Sequence, residues 1–243
     1  MAKSLRRKNK LHARLISHSQ PSWSPTDDTG DLDLEGLSDI QDLVAYCARV
    51  SNPANQINSA TTPKLLNYLI KHKHWSPFEM ASACIEVETT RDIARQLIRH
   101  RSFSFQEFSQ RYADIRDLDD NFVIRDARLQ DPKNRQNSIS VDDKELQMQW
   151  EGYQQGVINT AKAAYNWAIE NGIAKEQARA VLPEGNTVSR LYVNGTIRSW
   201  IHYIELRSAN GTQLEHMELA REIACAIAKI YPDIANFVEN VTD

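Results

Sequence analysis

Hydrophobic positions along the chain change period several times, and each change marks an element. Ala83, Ile85 and Val87 alternate with Cys84, Glu86 and Glu88 over residues 81–89, which is the two-residue period of a strand. Residues 191–193 read as a further short strand, and residues 11–17 as a first one. Elsewhere the spacing is helical. Ile40, Leu43, Val44 and Cys47 recur behind Ser38 as cap, and Asn52-Pro53 closes that helix. Thr62-Pro63 signals another start, for a helix carrying Leu65, Leu66, Leu69 and Ile70. It ends in Lys71-His72-Lys73-His74, basic groups that suit the negative end of the helix dipole. Thr90 caps a helix with the stripe Ile93, Ala94, Leu97 and Ile98. Residues 143–170 predict a long helix ended by Asn171-Gly172, and residues 174–182 a short one stopped by Pro183. Thr196 and Thr212 cap the last two, through Leu206 and to about Ile230.

Between these elements, residues 20–36 are a Pro-, Ser- and Asp-rich loop, and residues 115–140 show only weak periodicity. A stretch of that length without regular structure is usually functional or mobile. Helices mixed with a few separated strands, without repeats or a clear boundary, predict a single α+β domain. Residues 1–37 form a basic tail, a first strand and a loop; residues 38–243 form the domain proper.

Composition narrows the class without naming it. With 243 residues, 41% of them hydrophobic and 25% charged, the chain can bury a continuous core, and disordered or fibrous classes are excluded. A net charge of −3 gives no global attraction to nucleic acid or to an anionic membrane. Lys3, Arg6, Arg7 and Lys8 concentrate positive charge locally, most simply as a solvated end. Cys47, Cys84 and Cys225 lie far apart in apolar contexts, which fits a reducing compartment. No signal-peptide run follows the basic residues, so a cytoplasmic location is expected.

Functional groups are densest from Arg95 to Tyr112. Arg95 and Arg99, four apart on one helix, can converge on one anion; as an isolated pair they equally fit helix-end complementarity. Beyond them Ser104, Gln106, Glu107, Ser109 and Arg111 interleave with Phe103, Phe105 and Phe108. As an extended ribbon this segment can bury one edge and present donors and acceptors to a phosphorylated ligand. An amphipathic strand with a polar outer face fits the same pattern. A nucleic-acid-binding module using residues 95–112 and the basic tail, with the phenylalanines as stacking groups, is the alternative from another class.

Arg99-His100-Arg101, seven residues and then Ser109 resembles the signature of the flavin-dependent thymidylate synthases, the ThyX family. Further blocks match in the family's order: Ala48-Arg49-Val50-Ser51; His74-Trp75-Ser76-Pro77-Phe78-Glu79; Ala178-Arg179 with Leu182-Pro183; Arg198-Ser199 and Leu206-Arg207; and Gln213 with Glu215. One such motif carries a real risk of chance; five ordered blocks carry much less. The resemblance implies an α+β domain with a small, mainly antiparallel sheet. It also implies reductive methylation of dUMP to dTMP: methylenetetrahydrofolate gives the carbon and FAD, reduced by NADPH, gives the hydride. Homotetramers with shared sites are implied too.

Carried over by position, Gln96, Arg99, Glu107, Ser109, Arg111, Arg179 and Arg207 resemble the dUMP-holding groups, with Arg207 against the uracil as the catalytic residue. Ser76, Arg99, His100, Arg101, Glu107, Thr196, Arg198 and His202 resemble the flavin-binding groups, and His74 lies toward the folate or nicotinamide side. Gln106 and His202 stand where the family commonly has Asn, and Ser76 where it often has Thr; each keeps hydrogen-bonding ability. There is no GxGxxG, so the flavin is expected through the resemblance and not through a Rossmann site. None of the three cysteines has the exposed, electropositive setting of an attacking thiolate. His72-x-His74 lacks a third ligand at metal-site spacing, so no metal is expected.

Overall fold

The computed structural model describes residues 12–22, 37–118 and 121–238. The basic residues of the amino-terminal tail and most of the 20–36 loop lie outside the described residues. The strands are β1 (His12–His18), β2 (Ser82–Thr90), β3 (Ser104–Glu107), β4 (Arg128–Gln130), β5 (Ser138–Ser140) and β6 (Val188–Thr196). The α-helices are α1 (Ile40–Ala48), α2 (Thr62–Lys71), α3 (Arg91–Leu97), α4 (Lys144–Glu170), α5 (Lys175–Ala178), α6 (Ile197–Ser208) and α7 (Leu214–Ile227). Four strands form an antiparallel sheet in the order β1-β2-β6-β3, and β4 and β5 make a separate hairpin. The result is the expected α+β domain with a small antiparallel sheet.

β2 and β6 pair along their whole length, from Ser82 opposite Thr196 to Thr90 opposite Val188. Ala83, Ile85 and Val87 are buried on one face, as their alternation requires. Glu86 and Glu88 on the other face are buried as well. Each is matched by an arginine directly across the ladder: Arg14 lies 2.9 Å from Glu86, and Arg190 binds Glu88 through Nε at 2.9 Å. Opposite charges at facing positions let a central strand carry carboxylates where isolated ones would be too costly.

The main core packs Ile85, Val87, Leu191 and Val193 of the sheet with residues of α1, α2, α3, α6 and α7. Trp200 is fully buried, and its indole N–H donates to the Ala83 carbonyl at 3.0 Å, so no donor is stranded. A second cluster of Ile115, Tyr165, Ala168, Ala178 and Leu182 seats the carboxyl half of α4.

Several helix starts differ by a residue from the sequence expectation. Asp39, not Ser38, caps α1, accepting from the Gln41 and Asp42 N–H groups at 2.8 and 2.9 Å. Ser38 instead donates to Asp42 Oδ2, while Thr62, inside α2, donates to Asp42 Oδ1 at 2.9 Å. Asp42 therefore joins α1 to α2, which explains its burial. Gln213 and not Thr212 precedes α7, and its side chain is engaged elsewhere. β6 runs to nine residues where three were expected, because full pairing with β2 recruits Ser189, Arg190, Asn194 and Thr196, which carry no apolar signal.

Residues 121–140 are more ordered than their pattern implies. Gln154 and Gln147, seven apart on one face of α4, each bond both backbone groups of one facing residue. Gln154 accepts from Arg125 N at 3.0 Å and donates to its carbonyl at 2.8 Å; Gln147 does the same for Ala127 at 2.7 and 2.9 Å. Two amide side chains thus serve the segment as a partner strand would.

Gly195 fixes how closely the sheet approaches the segment after α3. A Cβ there would lie 2.2 and 2.5 Å from the Phe103 ring, which is itself packed on Trp200 at 4.4 Å. Gly195→Ala is expected to destabilise the domain by about 1–3 kcal/mol through overpacking. Adding Phe103→Leu should recover part of that loss in urea unfolding; strictly additive losses would mean the two residues do not compete for space.

Candidate functional site

The densest sequence segment folds as a short helix, a turn and a strand. α3 stops at Leu97, so Arg99 lies beyond the helix. Arg95 is held by Glu184 through Nε at 2.6 Å, and Arg99 is exposed. The expected convergence of Arg95 and Arg99 on one anion is not realised, because the helix ends between them. Arg99 and Arg101 both project as exposed guanidinium groups, with no ion pair to a described residue.

His100 turns inward. Its Nε2 accepts from Arg207 Nε at 2.9 Å, and its ring meets Tyr203 edge-on at 5.0 Å. A lone pair facing a guanidinium leaves no place for a proton, which fixes Nδ1–H as the tautomer. Burial and then the Arg207 charge lower its pKa to about 4, so the imidazole is neutral at physiological pH. The two halves of the pair come from separate motif blocks, and α6 unites them: Trp200, Tyr203 and Arg207 share its inner face.

Gln96 reaches the same centre from α3. Its amide contacts Gln213 Oε1 at 2.8 Å and His216 Nδ1 at 3.2 Å, and His216 Nε2 lies 3.1 Å from the Tyr203 hydroxyl. His216 is fully buried; burial, the Arg207 charge and the neighbouring His100 lower its pKa to about 3. Neither His216 nor Tyr203 was singled out from sequence, because a histidine and a tyrosine at helical spacing read as core.

The outer face of α6 carries a second group. Thr196 caps the helix, donates to Glu79 Oε2 at 2.8 Å and accepts from Ser199 N at 3.2 Å. Arg198 donates to Glu79 Oε1 at 2.9 Å, and His202, one turn on, packs edge-on against Trp75 at 4.8 Å. Burial and then Arg198 lower the His202 pKa. Ser76 is exposed in the turn that supplies Glu79, and Ser199 Oγ donates to the Ser102 carbonyl at 3.4 Å, tying α6 to the Arg99–Arg101 turn. Glu79 is the missed organiser here; its place at the end of a matched block was the available signal.

The remaining residues form two smaller groups. Glu107 accepts from Ser189 at 2.8 Å and from Arg91 at 3.4 Å. Arg111 lies 3.6 Å from the Glu176 carboxylate, and Arg179 donates to the Glu176 carbonyl at 3.3 Å, while Ser109 Oγ accepts from Arg111 N. His74 is exposed, with Tyr68 and His72 rings about it at 6.2 and 6.1 Å. Cys47 and Cys84 are half-buried, which raises their thiol pKa values, and Cys225 is exposed on α7 despite its alanine neighbours.

Residues 34–233 match the family model described as thymidylate synthase complementing protein, and the chain belongs to that family. It is 46% identical over 229 residues to a probable flavin-dependent thymidylate synthase of Paramecium bursaria Chlorella virus 1, covering 94% of this chain and 99% of that one. A flavin-dependent thymidylate synthase of Synechocystis sp. is 46% identical over 208 residues, covering 86% and 93%. Among solved structures, a UMP/dUMP methylase, PolB, from Streptomyces cacaoi, bound with 5-Br dUMP, superposes with a TM-score of 0.75 at 26% identity over 95% of each chain. No helix among the described residues is long and apolar enough to cross a membrane.

The two depressed imidazoles carry a stability prediction. Both titrate near 6.5 when unfolded and lower when folded, so below that pH the unfolded chain binds more protons and stability falls as pH falls. The contribution is complete above pH 6.5 and disappears toward pH 4 and below, with a slope of at most about 1.4 kcal/mol per pH unit for His216. Urea midpoints measured from pH 7 to 5 should fall more steeply for the natural chain than for His216→Phe. Parallel profiles would show that His216 carries no such linkage.

Proposed function

We propose that this chain methylates C5 of the uracil of dUMP to give dTMP, as a flavin-dependent thymidylate synthase. Methylenetetrahydrofolate is the carbon donor, and NADPH supplies the reducing equivalents. The observation that carries the reading is the Arg207–His100 pair, a half-buried cation held against a neutral imidazole beside the Arg99-His100-Arg101 turn. Such a pair presents a fixed positive charge without a carboxylate paired to it among the described residues.

In this reading Arg207 lies against the pyrimidine and stabilises negative charge on its ring, which raises the nucleophilicity of C5. His100, uncharged, orients Arg207 without neutralising it. Gln96 and Ser109 orient the nucleotide, and Arg111 and Arg179, gathered around Glu176, receive its phosphate together with Arg99. Glu107 is already fixed by Ser189 and Arg91 and can accept from a ligand hydroxyl or amide.

The donor set on α6 and the preceding turn fits FAD. Arg99 and Arg101 offer exposed guanidinium forks for a diphosphate, while Ser76, His100, Thr196, Arg198 and His202 supply shorter polar contacts beside Trp75. When bound, FAD supplies the hydride that converts the transferred methylene to a methyl group. His74 faces the folate or nicotinamide side. The catalytic unit spans residues 38–243, with β1 completing its sheet from the amino-terminal stretch.

A homotetramer with shared sites is part of this reading. Trp150, Tyr153 and Val157 follow one another at helical spacing on α4 and are 44, 74 and 53% exposed, an apolar stripe suited to a second copy. A cytoplasmic setting follows from the reaction, which belongs to nucleotide metabolism.

The purified protein should show a flavin absorption band that NADPH bleaches and dUMP perturbs; a colourless protein that binds single-stranded nucleic acid would overturn the assignment. Arg207→Ala should keep FAD and lose dTMP formation by about 10²–10³-fold. Near-normal turnover would remove its polarising role. Replacing Cys47, Cys84 and Cys225 together by Ala should cost stability but leave methylation in the folded protein; specific loss of methylation would reinstate a thiol mechanism.

A further inference from the structure

Five side chains join α3, α6 and the start of α7 in one hydrogen-bonded series whose polarity is set from its charged end. Burial pushes the Glu215 pKa up, but hydrogen bonds from Arg128 and the backbone, with the nearby Arg125 charge, carry it below the usual carboxylate range. Arg128 Nη2 stands 2.6 Å from its Oε1, and Arg125 Nε 4.0 Å. An ionised carboxylate only accepts, so Gln213 must donate its Nε2–H to Glu215 Oε2, at 3.0 Å.

Every further role follows. Gln213 is left with Oε1 toward Gln96, so Gln96 donates its Nε2–H there at 2.8 Å. Gln96 Oε1 then faces His216 Nδ1 at 3.2 Å and accepts, which makes His216 the Nδ1–H tautomer. Its Nε2 is the acceptor for the Tyr203 hydroxyl at 3.1 Å. His216 and Tyr203 are 0 and 1% exposed, so water cannot replace a missing partner cheaply. Rotating any one amide by half a turn would set oxygen against oxygen, and passing the error along would end on the Glu215 carboxylate. The series has one consistent arrangement.

In that arrangement the Gln96 oxygen is turned toward His216, where it accepts, and one of its two amide hydrogens is used. A single N–H remains. We infer that His216, Gln213 and Glu215 are positioning residues that lock the orientation of the Gln96 amide so that its remaining N–H is presented to the nucleotide as a donor, selecting an acceptor oxygen on the substrate at that point. This rests on the proposed reading in which Gln96 contacts dUMP.

The test is the dUMP dissociation constant of the FAD-loaded protein by titration calorimetry, alongside its FAD affinity. His216→Phe keeps a buried ring but neither hydrogen bond, and should weaken dUMP about tenfold while FAD affinity changes less than twofold. His216→Asn, whose amide nitrogen can stand in for Nδ1 and donate to Gln96, should recover most of the loss. Equal weakening of dUMP and FAD, or no recovery with Asn, would reduce His216 to a packing residue and overturn the inference. Unchanged dUMP binding in His216→Phe would overturn it while leaving the proposed function intact. Natural protein that fails to bind dUMP at all would remove both. Should the Phe variant not fold, nitrogen-15 shifts of labelled histidine in the natural protein decide directly: a protonated Nδ1 and bare Nε2 at His216 support the lock, and the opposite tautomer excludes it.

Discussion

The full-length antiparallel pairing of β2 with β6 is the constraint from which the site's geometry follows. Because Ser82 faces Thr196 and Thr90 faces Val188, α3 and α6 leave the strand pair at opposite ends. The two helices therefore run back over the same sheet, and the turn after α3 meets α6 along its length: Ser102 against Ser199 near the start, His100 against Arg207 near the end. β3 then returns beside β6 and carries Glu107 to Ser189. A slip of one residue in the β2–β6 register would turn Ile85 and Val87 out of the core and Glu86 and Glu88 into it, so burial and ladder charge jointly enforce the register.

Desolvation decides the electrostatics at the centre. An imidazole in water beside a carboxylate tends to hold its proton, but His100 and His216 have a guanidinium as their charged neighbour and lie in a mostly apolar surrounding. Both effects push the same way, toward the neutral ring. Arg207 Nε consequently meets an acceptor nitrogen rather than an anion. Around Glu79 and Glu176 the opposite arrangement holds: carboxylates gather Arg198 and Arg111, and a phosphate arriving there would have to compete with them. The arginines of this chain thus differ in their pairing: Arg99 and Arg101 are exposed with no ion pair to a described residue, Arg207 meets a neutral ring, and Arg95 and Arg190 are committed to carboxylates.

The fold class was legible because the strong periodic segments, β2, α2 and α4, are those whose side chains sort cleanly by face. β6 was legible only in its centre, since its ends consist of polar residues made strand-like by tertiary pairing. Residues 115–140 were illegible for a related reason: Gln147 and Gln154 satisfy their backbone from a helix, a service no local pattern announces. At the site, the residues found by family resemblance were largely polar groups at or near the surface, such as Arg99 and Ser109. The residues that bond Gln96, Thr196, Arg198 and Glu107, namely His216 with Tyr203 behind it, Glu79 and Ser189, look like core or like ordinary caps until the fold juxtaposes them.

How the candidate groups are distributed bears on whether one chain is enough. Arg207, His100 and Gln96 belong to one connected centre, whereas Arg111 meets the Glu176 carboxylate and Arg179 the Glu176 carbonyl, with no hydrogen bond joining this pair to that centre among the described residues. If a nucleotide's base and phosphate are to be held at once, either these groups reach one another within the chain or a neighbouring copy supplies one of them. α4 presents the surface for the second solution, since it is 27 residues long, buries little along its amino half, and leaves Met148, Trp150 and Tyr153 exposed. Covering that stripe would remove apolar area from water at roughly 25 cal/mol per Å². Were a second copy to cover it, that gain would count toward association independently of any ligand, and a site assembled across such an interface would be formed before the substrate arrives, so binding would not have to offset the ordering of two chains.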